Sequence, residues 1–335
     1  MDRVSSLEEL FERLNGLRAL IIGDVMIDSY IWGKVERISP EAPVPVVTVT
    51  RREKRLGGAA NVALNVQALG ATPVLCALVG DDTEGQEFRG LLADNGLTDE
   101  GIITSQARPT TMKERVLSGS QQMLRVDNES DKNLDGTEQA ALLHRIQKLL
   151  GDCDVVIFED YDKGCLNATV IEETVKLAGE KGIPTVVDPK KRNFMAYRGV
   201  SLFKPNLKEL KEGLKIEFDH GDRTRLGEAI KTLADKIQAQ HTLVTLSEKG
   251  VAINHREEGL HFLPAHVRDI SDVSGAGDTV VSIASLALAL NLPVRMIAAL
   301  SNLGGGLVCE HLGVVPINKS RLFDEARRCK LHEEL

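Results

Sequence analysis

Short apolar runs recur along the chain at Ala19–Ile22, Val74–Val79, Val155–Phe158, Pro184–Val187 and Leu243–Leu246, each followed by turn residues and a stretch of helical period. Runs of this kind suit strands buried on both faces, so the pattern predicts an α/β chain with a mostly parallel central sheet flanked by helices. Two regions break the rhythm. Residues 29–50, with Val44-Pro-Val-Val-Thr-Val49, and residues 110–127 alternate apolar with polar positions and carry no helix between their strands. That period predicts a small antiparallel β lid with a solvated face, inserted into the main domain. No internal repeat or long linker divides the chain, so residues 1–335 are expected to form one folding unit.

Composition narrows the class. With 42% hydrophobic and 27% charged residues over 335 positions, disordered and fibrous classes are excluded. Forty-nine acidic against 41 basic residues leave a net charge of −8, which argues against nucleic acid or an anionic membrane as partner. An anionic ligand would need a local cationic cluster. The charge-free stretch Thr279–Val294, about 16 residues with Asn291 and Pro293 inside it, is short for a membrane span and reads as a buried helix. The acidic, amphipathic first 16 residues do not read as a signal peptide, so a cytoplasmic location is expected. The five cysteines are scattered, with no Cys-x-x-Cys pair, and are expected to be reduced structural thiols.

In open α/β sheets ligands gather outside the carboxyl ends of the strands, and four segments there carry candidate chemistry. Asp272-Val-Ser-Gly-Ala-Gly-Asp-Thr279 precedes the apolar helical run. Its glycines and a helix start can aim backbone N–H groups from Ser274 to Gly277 at a phosphate, and Asp278 beside them could accept a proton from an attacking hydroxyl. Plain turn glycines and a first-turn acid would look the same. Leu56-Gly-Gly-Ala-Ala-Asn61 could read polyol hydroxyls through Gly57, Gly58 and Asn61, or open a helix packed through small residues. In Lys204-Pro-Asn-Leu-Lys-Glu209, Asn206 and Glu209 share a helix face and could hold magnesium through water, or form a capping box. Asp24 and Asp28 follow the first strand, where carboxylates could bind vicinal hydroxyls or simply face solvent.

With these segments in their order and separations, the chain resembles the ribokinase-like (phosphofructokinase-B) sugar kinases over nearly its whole length. The resemblance implies an ATP-dependent, magnesium-requiring kinase. It implies Asp278 as general base with Gly275, Ala276 and Gly277 as the anion hole, and Asn206 and Glu209 as the metal-phosphate positions. Asp28, Gly57, Gly58 and Asn61 would bind sugar. On the nucleotide side it implies Ser247, Lys249 and Gly250 in Thr245-Leu-Ser-Glu-Lys-Gly250, with Ser274 and with Asn302 near the adenine. A serine stands before the first glycine where other versions carry threonine, which keeps the hydroxyl.

Within that family Arg37-Ile-Ser-Pro-Glu-Ala-Pro-Val-Pro-Val-Val47, Glu159-Asp-Tyr-x-Lys-Gly164 and Val187-Asp-Pro-Lys190 are similar to the heptose branch, which acts on D-glycero-D-manno-heptose 7-phosphate. The branch implies phosphorylation at C1 to a 1,7-bisphosphate, a precursor of lipopolysaccharide or other surface glycans. It adds Arg37, Lys113, Asp160, Lys163 and Lys190 to the expected substrate contacts, with Arg115, Lys191 and Arg192 as further cations for the 7-phosphate. Branch members often carry a C-terminal nucleotidyltransferase. This chain shows no such second half, so a stand-alone kinase is expected, forming a homodimer through the lid. Another sugar, sugar-phosphate or nucleoside kinase is the alternative. A dinucleotide-dependent oxidoreductase lacks its Gly-x-Gly-x-x-Gly after the first strand, and a non-catalytic sugar-binding protein leaves Asp278 without a purpose.

Overall fold

The computed structural model describes residues 4–119, 121–219 and 221–335; Met1 to Arg3, His220 and Ser120, the last within the expected lid segment, lie outside the described residues. After α1 (Leu7–Arg13) the chain runs through β1 (Arg18–Gly23), β2 (Val25–Ile38), β3 (Pro45–Gly58), α2 (Ala59–Ala68), β4 (Thr72–Gly80), α3 (Thr83–Asp94) and β5 (Ile102–Ser105). Next come β6 (Met112–Ser118), β7 (Gln121–Asn128), α4 (Gly136–Leu150), β8 (Val155–Glu159), α5 (Ala168–Glu180), β9 (Thr185–Asp188) and β10 (Leu202–Phe203). Then follow α6 (Leu207–Leu214), α7 (Arg223–Ile237), β11 (His241–Thr245), β12 (Val251–His255), β13 (Gly259–Leu263), α8 (Ala276–Ala289), α9 (Val294–Val308) and α10 (Lys319–Arg328).

The nine-stranded sheet has the order β13-β12-β11-β10-β9-β8-β1-β4-β5 and is parallel except at β11–β12 and β12–β13. Its central strands are apolar on both faces because both are covered. On β1, Ala19 and Ile21 join the core under α2, α8 and α9, while Leu20 and Ile22 join the core under α4, α5 and α7. The apolar run after Asp278 forms α8, buried from Asp278 to Ala289. Among the described residues no helix is long and apolar enough to cross a membrane.

The lid is a four-stranded sheet, β3-β2-β6-β7. Both hairpins, β2–β3 and β6–β7, are antiparallel, and they meet along a parallel seam that pairs Ile27 with Met112 and Gly33 with Ser118. The seam is parallel because each hairpin leaves the core on its first strand and returns on its second. The direction of sheet growth reverses at β1: the sheet extends toward β4 on one side and toward β8 on the other. The crevice outside the carboxyl ends of β1 and β8 is therefore the topological switch point, and the lid stands over it.

Candidate active site

Gly23 at the end of β1 pairs with Glu159 at the end of β8, and the residues just beyond these ends build the crevice floor. Asp24 is buried there, its carboxylate accepting backbone N–H groups of Tyr161 (2.9 Å), Lys163 (3.0 Å) and Cys165 (2.9 Å). It braces the loop after β8, and burial holds its carboxyl above the usual carboxylate range despite those bonds. Asp160, expected among the substrate contacts, is likewise bonded to the fold. Its oxygens accept from Asp162 N–H (2.9 Å), Asn193 Nδ2 (3.0 Å) and Tyr197 Oη (2.7 Å).

The loop these acids hold presents Tyr161 to Asp278. Tyr161 Oη donates to Asp278 Oδ1 at 3.1 Å, and Asn61 Nδ2 donates to Oδ2 at 2.6 Å. Asp278 is the third residue of α8, where first-turn N–H groups have no carbonyl partner within the helix and the dipole is positive. Burial dominates nonetheless and pushes its carboxyl up to about 6. Gly275 caps the helix in the left-handed region, at φ 79°, and a side chain there would press on Val314. Ser274 is drawn into the same turn, its N–H and hydroxyl both donating to Asp272 Oδ1. At Gly277 a Cβ would lie 3.5 Å from Asp188 Oδ2, so this glycine leaves space above the helix start rather than relieving a clash.

Two more acids stand beside Asp278. Glu159 and Asp188, at the ends of β8 and β9, place carboxylate oxygens within 4.8 Å of Asp278 and of each other. Lys204 Nζ, buried, bonds Asp188 Oδ2 at 2.8 Å. Glu159 is 1% exposed, and its Oε2 has no hydrogen-bond partner. Burial, and then the neighbouring Asp188 and Asp278, hold its carboxyl well above the usual range. An all-oxygen set of hard donors with one unpartnered atom fits a hydrated divalent cation. Asn206 and Glu209 are spent differently. They form a reciprocal capping box at α6 (2.9 Å in each direction), and Glu209 Oε1 also accepts from Lys190 Nζ at 2.8 Å. With those oxygens engaged, the pair suits contact with a metal through water. Burial alone would depress the Lys190 ammonium, but Asp188 and Glu209 offset it and hold it above the ordinary lysine value.

Across the crevice, Arg115 on β6 holds Asp28 Oδ1 at 2.6 Å. Gly57 faces Asp28 closely enough that a Cβ would collide with Oδ2, and Gly58, at φ 61°, would collide with the Asp24 carbonyl. These glycines fold the end of β3 against β2 and leave Asp28 beside a bare backbone. Lys113 and Lys163 meet on Glu129, 2.8 and 2.7 Å from its two oxygens. Arg37 does not join them. It sits nine positions beyond Asp28 on the exposed end of β2, about 30 Å away at the usual rise of a strand.

Of the expected nucleotide-side residues, Gly250 and Asn302 converge on residues 263–265, while Ser274 stays in the turn before α8. Gly250 is packed against Leu263 and Ala265, Asn302 Nδ2 donates to the Pro264 carbonyl at 2.8 Å, and Gly306 lies against Arg268. Ser247 and Lys249 occupy a short 3-10 turn next to Gly250. Tyr161, Glu159, Asp188 and Lys204 were missed as site residues by sequence reasoning, although all four lie in the segments that carried the resemblance.

A family model for pfkB family carbohydrate kinases matches residues 17–320. A protein named bifunctional protein HldE from Syntrophotalea carbinolica is 40% identical over 324 residues, covering 97% of this chain and 66% of its own length. Its namesake from Caulobacter vibrioides is 44% identical over 309 residues, covering 92% of this chain and 63% of its own. The chain thus spans a little under two thirds of the length of these curated relatives. Among solved structures, phosphofructokinase-2 from Escherichia coli in complex with fructose-6-phosphate superimposes with TM-score 0.75 at 19% identity, covering 93% of this chain and 99% of that one. Arabidopsis thaliana ribokinase complexed with ribose and ATP does so with TM-score 0.71 at 15% identity, covering 92% and 98%. The ribokinase-like fold and the matched length agree with the crevice chemistry, and the chain belongs to the pfkB family of carbohydrate kinases.

Proposed function

We propose that this sugar kinase transfers the γ-phosphoryl group of ATP to the C1 hydroxyl of D-glycero-β-D-manno-heptose 7-phosphate, giving the 1,7-bisphosphate, a surface-glycan precursor. The observation that carries a phosphotransfer site is Asp278: a buried carboxylate with its carboxyl near 6, set in the first turn of α8, whose opening N–H groups have no carbonyl partner within the helix. The heptose acceptor is supported by the segments at 37–47, 159–164 and 187–190 and by relatives named bifunctional protein HldE.

In this reading Asp28 and the Gly57-Gly58 backbone hold the sugar hydroxyls, and Asn61 orients the base by its bond to Oδ2. Asp278 takes the proton as the C1 oxygen forms its bond to the γ-phosphorus and the bond to the bridging β–γ oxygen breaks, releasing ADP. The amides at Gly275 to Gly277 face the charge on the phosphoryl oxygens. Magnesium, when bound, neutralises phosphate charge; Glu159 and Asp188 are the residues suited to hold it, with Asn206 and Glu209 acting through water. Ser247 to Gly250, Ser274 and Asn302 line the nucleotide side, and Lys113 and Lys163 take the acceptor's distal phosphate.

The lid exposes Ile38, Val44, Val49, Leu124 and Val126, a set of apolar side chains that supports a homodimer formed through the lids. Such a pairing would also give Arg37 a site to act on, in the other copy. Sedimentation of the wild type and of a Val49→Lys, Leu124→Lys variant tests the pairing: a monomeric double variant is the expected result.

The function is tested by coupled ADP release with magnesium-ATP, comparing the heptose 7-phosphate with sedoheptulose 7-phosphate, fructose 6-phosphate, ribose and adenosine. Strong preference for the heptose phosphate is expected. Preference for another acceptor would keep Asp278 as base and sink the assignment drawn from the lid.

A further inference from the structure

Glu129 lies just beyond β7, between lid and core, and is engaged by a cation from each side. Lys113 on the lid strand β6 reaches its Oε2 at 2.8 Å, and Lys163 on the loop after β8 reaches Oε1 at 2.7 Å. The chain on either side is held by other contacts. Arg108 donates to the Lys132 carbonyl and Arg192 to the Asp131 carbonyl, while Asn128 closes the β6–β7 ladder opposite Met112. Glu129 is engaged through its side-chain oxygens, beyond the last residue pair of the β6–β7 ladder, so its side chain can swing out without unmaking that ladder. Its half-buried carboxylate is drawn below its usual range by the two lysines, against the opposing effect of burial.

A carboxylate gripped by one ammonium on each oxygen presents the same face as two oxygens of a phosphate. Lys113 pairs in register with Asp28, and Lys163, on the loop that Asp24 holds, reaches the same Glu129 carboxylate as Lys113. We propose that Glu129 is a specificity-determining residue: an internal counter-anion that fills the acceptor's phosphate subsite and must be displaced by a dianionic phosphate for that group to bind. The inference rests on the sugar-phosphate reading above and deepens it.

The charge balance explains what Glu129 selects. With Glu129 in place, Lys163 is neutralised and Lys113 is shared between Glu129 and Asp127, the latter at 3.1 Å. A monoanion exchanged for Glu129 gains nothing, since it replaces one negative charge with another and must leave water to do so. A phosphate dianion brings one more negative charge to the same two ammonium groups. A neutral hydroxyl cannot replace the carboxylate at all. Glu129 therefore keeps small anions and unphosphorylated sugars from occupying the subsite, and lowers the affinity even of its proper guest.

Calorimetric titration of the full chain with inorganic phosphate at pH 8 tests this without depending on which sugar is the acceptor. Glu129→Gln removes the counter-charge and should tighten phosphate binding on the order of tenfold, the size expected for two half-exposed ion pairs. Glu129→Asp, too short to bridge both lysines, should fall between wild type and Gln. The gain should vanish when Glu129→Gln is combined with Lys163→Ala, which assigns it to this subsite rather than to the nucleotide's. Unchanged or weaker phosphate binding in Glu129→Gln overturns the proposal, as does a gain that survives Lys163→Ala. Acceptor profiling by ADP release is read separately: turnover with an unphosphorylated sugar alone would defeat the heptose-phosphate reading even where the phosphate titration behaves as described.

Discussion

Replacing Asp278 by asparagine should make the protein more stable while removing its activity. The carboxyl of Asp278 moves from an ordinary 3.8 to about 6, with burial as the largest cause. At about 1.4 kcal/mol per tenfold change, this corresponds to about 3 kcal/mol by which the folded state disfavours the ionised side chain. Because the folded value is raised, stability is fully present below about pH 4 and is lost as pH rises through about 6. Asparagine stays neutral throughout, so its advantage over wild type should grow from about 1 kcal/mol at pH 4.5 to about 3 kcal/mol at pH 7.5. The exchange leaves the Tyr161 hydroxyl hydrogen without its acceptor, as protonation of wild-type Asp278 also does, so the comparison with the neutral wild type holds. Asn61 Nδ2 can donate to the new amide oxygen, and Tyr161 Oη can accept from the new amide nitrogen. Relief of Glu159, held up partly by the Asp278 charge, acts in the same direction.

Urea unfolding of wild type and Asp278→Asn at the two pH values measures the difference directly, and titrating acids remote from Asp278 cancel between the two proteins. Turnover should fall by about 10²- to 10⁴-fold, the usual worth of a positioned general base. Equal stability at pH 7.5, or a gap that does not widen with pH, would refute the claim that burial strains this carboxylate. Near-normal turnover would remove it from the role of base.

Tyr161→Phe deletes a hydrogen bond that favours the ionised form of Asp278, so the acid limb of the kcat profile should move up by about half a pH unit to one unit, with the fold intact. Gly57→Ala drives a methyl group into Asp28 and should raise KM for the sugar by about tenfold or more while sparing KM for ATP; a uniform loss of both would point to a general folding defect instead. Lys204→Met leaves Asp188 buried without its partner and should cost about 3–5 kcal/mol in urea unfolding, whereas a change under 1 kcal/mol would mean water reaches Asp188 freely.

The parallel core strands and the two lid segments were legible because burial on both faces and burial on one face leave different periods in sequence. Gly57, Gly58, Gly275 and Asp278 were legible because their local backbone demands are written in adjacent residues. The rest depends on distant partners. Asp24 resembles any acid at a strand end until residues 161–165, brought beside it by the β1–β8 pairing, turn their N–H groups toward it. Asp160 is committed to Asn193 and Tyr197, far along the chain. Glu159, Asp188 and Asp278 come from two strand ends and a helix start, and no spacing in sequence signals their approach. At Asn206 and Glu209 both readings were open, and the capping box is present without excluding a water-mediated metal contact.

The crevice is polarised, and that polarity bears on how an acceptor would lie in it. Three carboxylates gather where phosphoryl transfer is proposed, with Lys204 bonded to one of them and Lys190 partly neutralised by Glu209. Lys113, Lys163 and Arg115 lie at the lid side with Asp28 and Glu129. A sugar phosphate placed with its phosphate toward Asp278 would set a dianion against three buried acids at short range, where water screens least. Turned the other way, the phosphate meets two lysines and the opposite hydroxyl meets a base that is half ionised near pH 6 and essentially ionised at physiological pH. The same crowding of acids that costs stability at Asp278 thus sets the direction in which the acceptor is held. Neutralising Glu159 by Glu159→Gln should weaken that orientation, and it should show as a smaller penalty for acceptors carrying a second negative group near C1.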